Sequence, residues 1–476
     1  MRVLLIQPRP KKNGPGFKNV IRTEPLGLEI VAASLKREGH EVRLVDLLDG
    51  SLPLGEVRHF APGAAGISCS FTVDTYAVIE IARALKQIRK DIFVFAGGHH
   101  ASLSYPDFYD PALDAVVIGE GETTTPELIS TLEERGDLSK VRGLVLNHPG
   151  GQTFTGWRDL VLSLDDVPFP DRSRPENIRG LYYLGFRRPV ITVETSRGCP
   201  YRCNFCSVWR FHRQKFRHQS AERVVEELAG LPAGDVFFTD DNFLASVDRA
   251  ARIASLIKSR RLPSRRYIFQ ARSDTITCHP DVIREWKEIG LEQVFIGFEK
   301  IDQEEMERIN KHNTVENNEK ALNFLRSLGI GVYASFIVDP QFGKIDFRKI
   351  KDYIKKLKIA QPYFSVLTPL PGTEFFDNVR ERITSFNYEF FDLLHAVLPT
   401  RLSLAEFYKE LAGLYRAAYL RPYHIWKTTT CIVKRLLQGQ ISFDQVKRLW
   451  TGARLTASPK AYLSELEAAF RRTRPT

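Results

Sequence analysis

Three of the chain's six cysteines fall within eight positions, as Cys199, Cys203 and Cys206 in ETSRGCPYRCNFCSVWRFHR. Six cysteines in 476 residues make no disulfide framework, and thiols gathered this closely suit a metal site in a reducing compartment. Thiolates are the usual ligands of iron in clusters, and closely spaced cysteines on a loop can fold around a cubane. Three of them leave one iron open, which a small molecule with an amino and a carboxylate group could complete. The competing chemistry is a structural zinc site with His212 as the fourth ligand, because zinc closes its shell with four. Cys69, Cys278 and Cys431 stand alone and read as small packing residues.

Other polar residues stand where β-rich runs end. Asp240, Asp241 and Asn242 follow VFFT, Gln270 and Arg272 lie in FQARSD, and Glu299 ends IGFE. A buried zwitterion needs charged and amide partners, since an unpaired buried charge is costly. A loop cap or a surface ion pair is the plainer reading of each one alone. Nearer the start, Gly97, Gly98, Gly119 and Gly121 follow apolar runs, and Ser68, Phe71 and Thr72 lie in GISCSFTVDTY. Glycines there let backbone approach a large flat ligand. His99 and His100 follow the paired glycines and read by default as exposed loop histidines. His40, in EGHEV, reads as a turn residue.

The elements that must hold these residues follow from the apolar pattern. From Met1 to about Val145, VLLIQ, VRLVDL, AAGISCS, IFVFAGG and DAVVIGEG alternate with helical text such as LGLEIVAASLKREG and YAVIEIARALKQIRK. That alternation predicts a doubly wound α/β domain over 1–145, with ligands bound beyond the carboxyl ends of its strands. A proline- and aspartate-rich stretch predicts a linker over 146–190. Six further strand signals, from VITVETS to YFSVLTPLPGT, predict a partial parallel (β/α)6 barrel over 191–375, with its chemistry at the carboxyl ends of the strands. Helical text, including LAEFYKELAGLYRAAYL, predicts a helical domain over 376–476.

The spacing CxxxCxxC after a first barrel strand resembles the radical S-adenosylmethionine superfamily. The resemblance implies a [4Fe-4S] cluster on the three cysteines, with S-adenosyl-L-methionine on the open iron and cleaved to a 5′-deoxyadenosyl radical. It also implies that Asp240, Asp241, Gln270, Arg272 and Glu299 contact S-adenosyl-L-methionine. GISCSFTVDTY, FAGGHHAS and DAVVIGEGET are similar to the cobalamin-binding domain that precedes the barrel in one branch of the superfamily. Ser68, Phe71, Thr72, Gly97, Gly98, His99, Gly119 and Gly121 would then border cobalamin. The Asp-x-His-x-x-Gly loop of many corrinoid proteins does not occur, so no histidine is expected beneath cobalt.

In many relatives this pair of domains implies methyl transfer to an unactivated carbon. At finer grain, RTEPLGLEIVAASLKREGHEV, the cysteine loop and NYEFFDLLHAVLPTRLSLAEFYKELAGLY resemble the hopanoid C-3 methylases. The partners so implied are a hopanoid lipid and an electron donor such as a flavodoxin or ferredoxin. The alternative within the branch is an oxidative cyclase of the magnesium-protoporphyrin ester kind, and the non-enzymatic one is an iron–sulfur electron carrier. Phe390, Phe391, Leu393, Leu394, Leu398, Phe407, Tyr408 and Tyr415 could line an apolar channel or form helix core.

The net charge of +11 fits nucleic acid, an anionic membrane or an acidic substrate. No RNA-binding module of recognisable type follows the barrel, so nucleic acid is not expected. Trp426, Lys427, Lys434, Arg435, Lys447, Arg448 and Trp450 lie among Leu, Ile and Val, a mixture seen both on membrane-surface helices and on packed helices with a basic face. The apolar run in MRVLLIQPRP is too short for a signal segment, and no 18 successive apolar residues occur. A cytoplasmic protein with at most peripheral membrane contact is expected.

Overall fold

The computed structural model describes residues 1–9, 19–48, 51–52, 54–174, 176–232, 234–420, 422–439 and 441–472. The side chains of Trp426, Lys427 and Cys431 lie outside the described residues.

The first sheet contains β1 (Arg2–Gln7), β2 (Glu41–Asp46), β3 (Ala64–Ser68), β4 (Phe93–Gly97), β5 (Ala115–Val117), β6 (Leu144–His148) and β7 (Gly151–Phe154), in the order β2-β1-β3-β4-β5-β6-β7. The first five are mutually parallel. Val3, Leu4, Leu5 and Ile6 of β1 are all fully buried, as a parallel strand covered by helices on both faces requires. Val78, Ile81, Ala82 and Leu85 of the helix Thr75–Ile88 pack on one face. Helices Leu26–Arg37 and Gly121–Glu133 send Ala32, Leu35, Leu128 and Ile129 to the other. The fold is thus the doubly wound one that the apolar alternation predicts. The sheet continues through the antiparallel hairpin β6–β7, beyond the expected start of the linker. That hairpin turns at HPGG, where Gly151 has φ +134°.

The second sheet is wholly parallel, with β8 (Val190–Val193), β9 (Asp235–Phe238), β10 (Arg266–Gln270), β11 (Leu291–Glu299), β12 (Gly331–Val338) and β13 (Gln361–Val366) in sequence order. It is the six-stranded partial barrel expected. Val294, Ile296, Phe298, Phe336 and Phe364 pack outward with helix residues such as Phe347, Ile350 and Ile354. Strand alternation puts Phe295 and Tyr333 on the inner face, where they stay partly accessible with their rings 5.2 Å apart.

The carboxyl-terminal part is helical, with Leu404–Tyr419, Pro422–Leu437, Phe443–Thr456 and Pro459–Arg472. Ahead of it, residues 383–402 form an extended strap, tied to the end of β13 by the Val366 amide donating to the Leu393 carbonyl at 2.7 Å. Phe390, Phe391, Leu394, Leu398, Phe407, Tyr408 and Tyr415 are buried in the barrel core, so these residues are core and not channel wall. Leu393 alone of the group is half-buried. Among the described residues no helix is long and apolar enough to cross a membrane.

Candidate cofactor sites at the carboxyl edges of the two sheets

The cysteine loop leaves β8 through the short antiparallel pair Ser196–Arg197 and Arg217–His218. Asp240, at the end of β9, anchors that exit. Its carboxylate accepts from the Thr195 amide at 2.7 Å, the Thr195 hydroxyl at 2.5 Å and the Ser196 hydroxyl at 2.7 Å. Gly198 then takes φ +85°, and a Cβ there would come within 2.3 Å of the Lys215 carbonyl oxygen, so only glycine fits. Within the loop the Cys206 amide donates to the Cys203 carbonyl at 3.1 Å, and the Trp209 indole donates to the same carbonyl at 3.1 Å. The Asn310 amide bonds the Arg202 carbonyl at 2.7 Å, and Asn204 bonds the Arg308 carbonyl at 2.9 Å.

Arg272 is committed to this scaffold. Its guanidinium lies 3.5 Å from the centre of the Tyr201 ring, inside the cysteine loop, and donates to the carbonyls of Lys311 at 2.9 Å and His312 at 2.6 Å. It also pairs with Asp274 at 2.7 Å. Asp240 and Arg272, expected as cofactor contacts, are therefore already engaged in shaping the loop. Asp241, Gln270 and Glu299 remain at the mouth. Asp241 is solvent-accessible but enclosed by protein on most sides, and burial, with Asp240 and Glu194 nearby, pushes its carboxyl up to about 7. Gln270 reaches the Asp240 carbonyl at only 3.4 Å. Glu299 sits at a β-bulge with φ +59°, which turns its side chain toward Lys311 at 2.8 Å.

No sequence motif marks Lys311. Its charge is felt at Cys203, and it sits in a loop without periodicity, so only the bulge partner Glu299 hinted at it. Asn242 is buried with neither amide atom bonded within the protein.

Three thiols fit a cluster better than one zinc ion. Burial raises all three pKa values, that of Cys206 to about 12, so a strongly positive centre is needed to hold them as thiolates. Zinc draws its sulfurs to about 3.8 Å from one another. Among the described residues the only His, Cys, Asp and Glu ligand atoms gathered within 4.8 Å belong to Asp392, His395 and Glu465, and the three sulfurs are not so gathered. His212 instead places Nδ1 3.2 Å from Arg217, and burial together with that cation lowers its pKa to about 3.

On the first sheet, Ser68 pairs in register with Gly97, and Gly97 with Val117, so the expected residues share the carboxyl edge of β3, β4 and β5. Phe71 is 69% exposed there. Gly98 has φ +116°, and a Cβ would lie 2.9 Å from the Cys69 carbonyl group. Gly119 has φ +81° with open space beside it, and Gly121 opens the next helix. Such an edge fits the flat face of a corrin ring. His99 and His100 are not exposed loop residues, because they open a short helix, His99–Leu103. The Thr72 hydroxyl lies 3.2 Å from His100 Nδ1. His40 stands at the amino edge, 3.2 Å from the Met1 amine.

The two edges meet. His99 Nε2 is 2.8 Å from the hydroxyl of Ser207, the neighbour of Cys206, and its ring stacks on Phe211 at 4.4 Å. Arg197 pairs with Glu120 at 2.9 Å, with Glu194 at 2.8 Å and with Glu122, while Arg217 pairs with Glu120 at 2.8 Å. Burial would raise the Glu120 pKa, but the two guanidinium groups outweigh it and hold the carboxyl at about 2.

Comparison with known proteins agrees with this layout. Residues 21–129 match the B12 binding domain family, and residues 193–354 match the radical SAM superfamily. The hopanoid C-3 methylase of Methylococcus capsulatus is 35% identical over 461 residues, covering 94% of this chain and 86% of the relative. The chain belongs to the B12-binding radical SAM family. Its cofactors are accordingly a [4Fe-4S] cluster, S-adenosyl-L-methionine and cobalamin, and it is an enzyme of the cobalamin-dependent methyltransferase kind. An uncharacterized methyltransferase of Pyrococcus horikoshii is 29% identical, covering 92% of this chain and 98% of its own. The solved structure of the cobalamin-dependent S-adenosylmethionine radical enzyme OxsB, with aqua-cobalamin and S-adenosylmethionine bound, shares the fold. Its TM-score is 0.70 at 17% identity, covering 100% of this chain and 81% of OxsB.

Proposed function

We propose that this B12-binding radical SAM enzyme methylates an unactivated ring carbon of a pentacyclic hopanoid, at C-3. The observation that carries the reading is the 35% identity to a hopanoid C-3 methylase along 94% of the chain, well beyond the segments that the two domain families match. The half-buried aromatic groups Phe295 and Tyr333 inside the barrel suit a rigid apolar substrate.

In this reading Cys199, Cys203 and Cys206 hold the cluster. Asp241, Gln270 and Glu299, with Lys311, hold the charged and hydroxyl-bearing parts of S-adenosyl-L-methionine, while Asp240 and Arg272 position the loop. Ser68, Phe71, Thr72, Gly97, Gly98, His99, Gly119 and Gly121 border cobalamin. When bound, these cofactors supply radical generation and the methyl group, fed by an external donor such as a flavodoxin or ferredoxin. The chain's own residues orient the reactants and keep water from the seam.

The test is expression in a hopanoid-making host that lacks this methylase, followed by mass spectrometry of its lipids. Hopanoids one methyl group heavier, absent with Cys203→Ala but present with the exposed Cys278→Ala, are the expected result. Unmethylated hopanoids from a cell whose protein holds intact cluster and corrinoid would overturn the substrate assignment. A product oxidised without an added carbon would instead point to cyclase chemistry.

A further inference from the structure

The helix Phe443–Thr456 half-buries Val446, Leu449 and Leu455 but leaves its two aromatic side chains outside. It turns Gln445, Arg448, Gly452 and Thr456 inward, at spacings of three, four and four. Arg448 lies 3.3 Å over the Tyr183 ring and donates to the carbonyls of Asn19 at 2.7 Å and Gly185 at 3.1 Å. A Cβ on Gly452 would come within 2.6 Å of Asn19. Half a turn away, on the outward face, stand Phe443 at 79% exposure and Trp450 at 65%, with the exposed Lys447 and Arg454 between and beyond them. An ordinary surface helix turns its largest apolar side chains to the core.

The preceding helix also leaves apolar and basic side chains exposed. It ends with Val433 and Leu437 exposed at i and i+4, the latter at 84%, and with Lys434 exposed beside them. From position 430 to 457 the sequence has, besides the inward Arg448, four cations, Lys434, Arg435, Lys447 and Arg454, against the single carboxylate of Asp444.

We propose that this outward face docks on the headgroup region of an anionic lipid bilayer. Bulky apolar and indole side chains set among lysine and arginine match that region, where ring and hydrocarbon enter the acyl boundary while cations meet lipid phosphates. A second copy of the same face would bring like charges together, which disfavours self-association there. The contact is peripheral, since among the described residues no helix can span a bilayer. The helix packs at the amino end of the barrel, on Gly185 and Phe186 ahead of β8, so its outer face lies away from the cysteine loop. It stands independently of the hopanoid reading.

Flotation of the reconstituted full-length protein with phosphatidylcholine vesicles, with and without phosphatidylglycerol, tests it. Binding to the phosphatidylglycerol vesicles is expected, with a blue shift of emission that Trp450→Phe removes. Phe443→Ser with Trp450→Ser should lower partitioning about tenfold, and Lys434→Glu with Lys447→Glu should abolish the preference for phosphatidylglycerol. Iron and corrinoid content, read on every variant, should stay at the wild-type level and so exclude misfolding. Failure of the wild type to float, or equal flotation of the Phe443→Ser/Trp450→Ser variant, would overturn the proposal. So would a dimer of the wild type that this variant loses while neither protein meets vesicles, since the face would then belong to a second copy.

Discussion

Gly98 and Gly119 both hold positive φ at the carboxyl edge of the first sheet, yet the structure asks different things of them. At Gly98 a methyl group meets the Cys69 backbone at 2.9 Å, while at Gly119 it meets nothing within 4 Å. Backbone strain alone costs a non-glycine residue about 1–2 kcal/mol in this region. Gly119→Ala should lose about that much stability, and Gly98→Ala clearly more, because the clash with backbone adds to it. Chemical denaturation of the two variants tests the ranking, and equal losses would show that the approach to Cys69 is not tight. Corrinoid retention, read by absorbance, should fall in Gly119→Ala if that open space receives the ring. At the same scale Asp240 and Arg272, expected beside S-adenosyl-L-methionine, also hold the loop that carries the cysteines.

The coupling between cofactor loops belongs to the level of elements. Glu120 and Glu122, set among the glycines after β5, meet Arg197, two residues before Cys199, and Arg217 of the paired strand. All four side chains are nearly buried, so removing one partner leaves uncompensated charge. The usual cost of that is about 3–5 kcal/mol. We expect Glu120→Ala to lower iron content and corrinoid retention together. Glu127→Ala removes only an exposed pair with Arg158 and should change neither. Iron and corrinoid assays on the two variants, with loss of one cofactor alone in Glu120→Ala, would show the loops to be independent.

Across the whole molecule the seam between the sheets holds histidines that stay neutral. Burial lowers His100 to about 4, with His99 beside it adding to the shift, and it prevails over Asp107 at 3.6 Å. Unfolded chain takes up that proton near pH 6.5, well before the folded form does. The unfolded state therefore binds more protons between the two values. Stability from this group is complete above about pH 6.5 and is lost as pH falls toward about 4, by about 3 kcal/mol in all. Burial also lowers His99 to about 4, and burial with Arg217 lowers His212 to about 3, so the seam as a whole should loosen in acid. Thermal melts across that range should fall, and His100→Gln should flatten part of the slope. An unchanged slope would place the acid sensitivity elsewhere.

Apolar periodicity and cysteine spacing were enough to read the two sheets and the cluster loop from the sequence. Strands such as β1 are apolar throughout, and three thiols on one loop are a local pattern that needs no distant partner. The glycine-lined edge was legible for the same reason. What only the folded chain decided depends on contacts between residues far apart in sequence. Lys311 matters because a bulge aims Glu299 at it, and His99 because it lands on Ser207, 108 residues away. The strap at 383–402 and the hairpin β6–β7 escaped the sequence reading because neither has helical or long-strand periodicity. The apolar residues from Phe390 to Tyr415 had two readings, and tertiary packing chose core over channel. Sequence shows that a helix has an apolar side, but the neighbours settle whether that side faces protein or solvent. On the helix from Phe443 they left Phe443 and Trp450 outside.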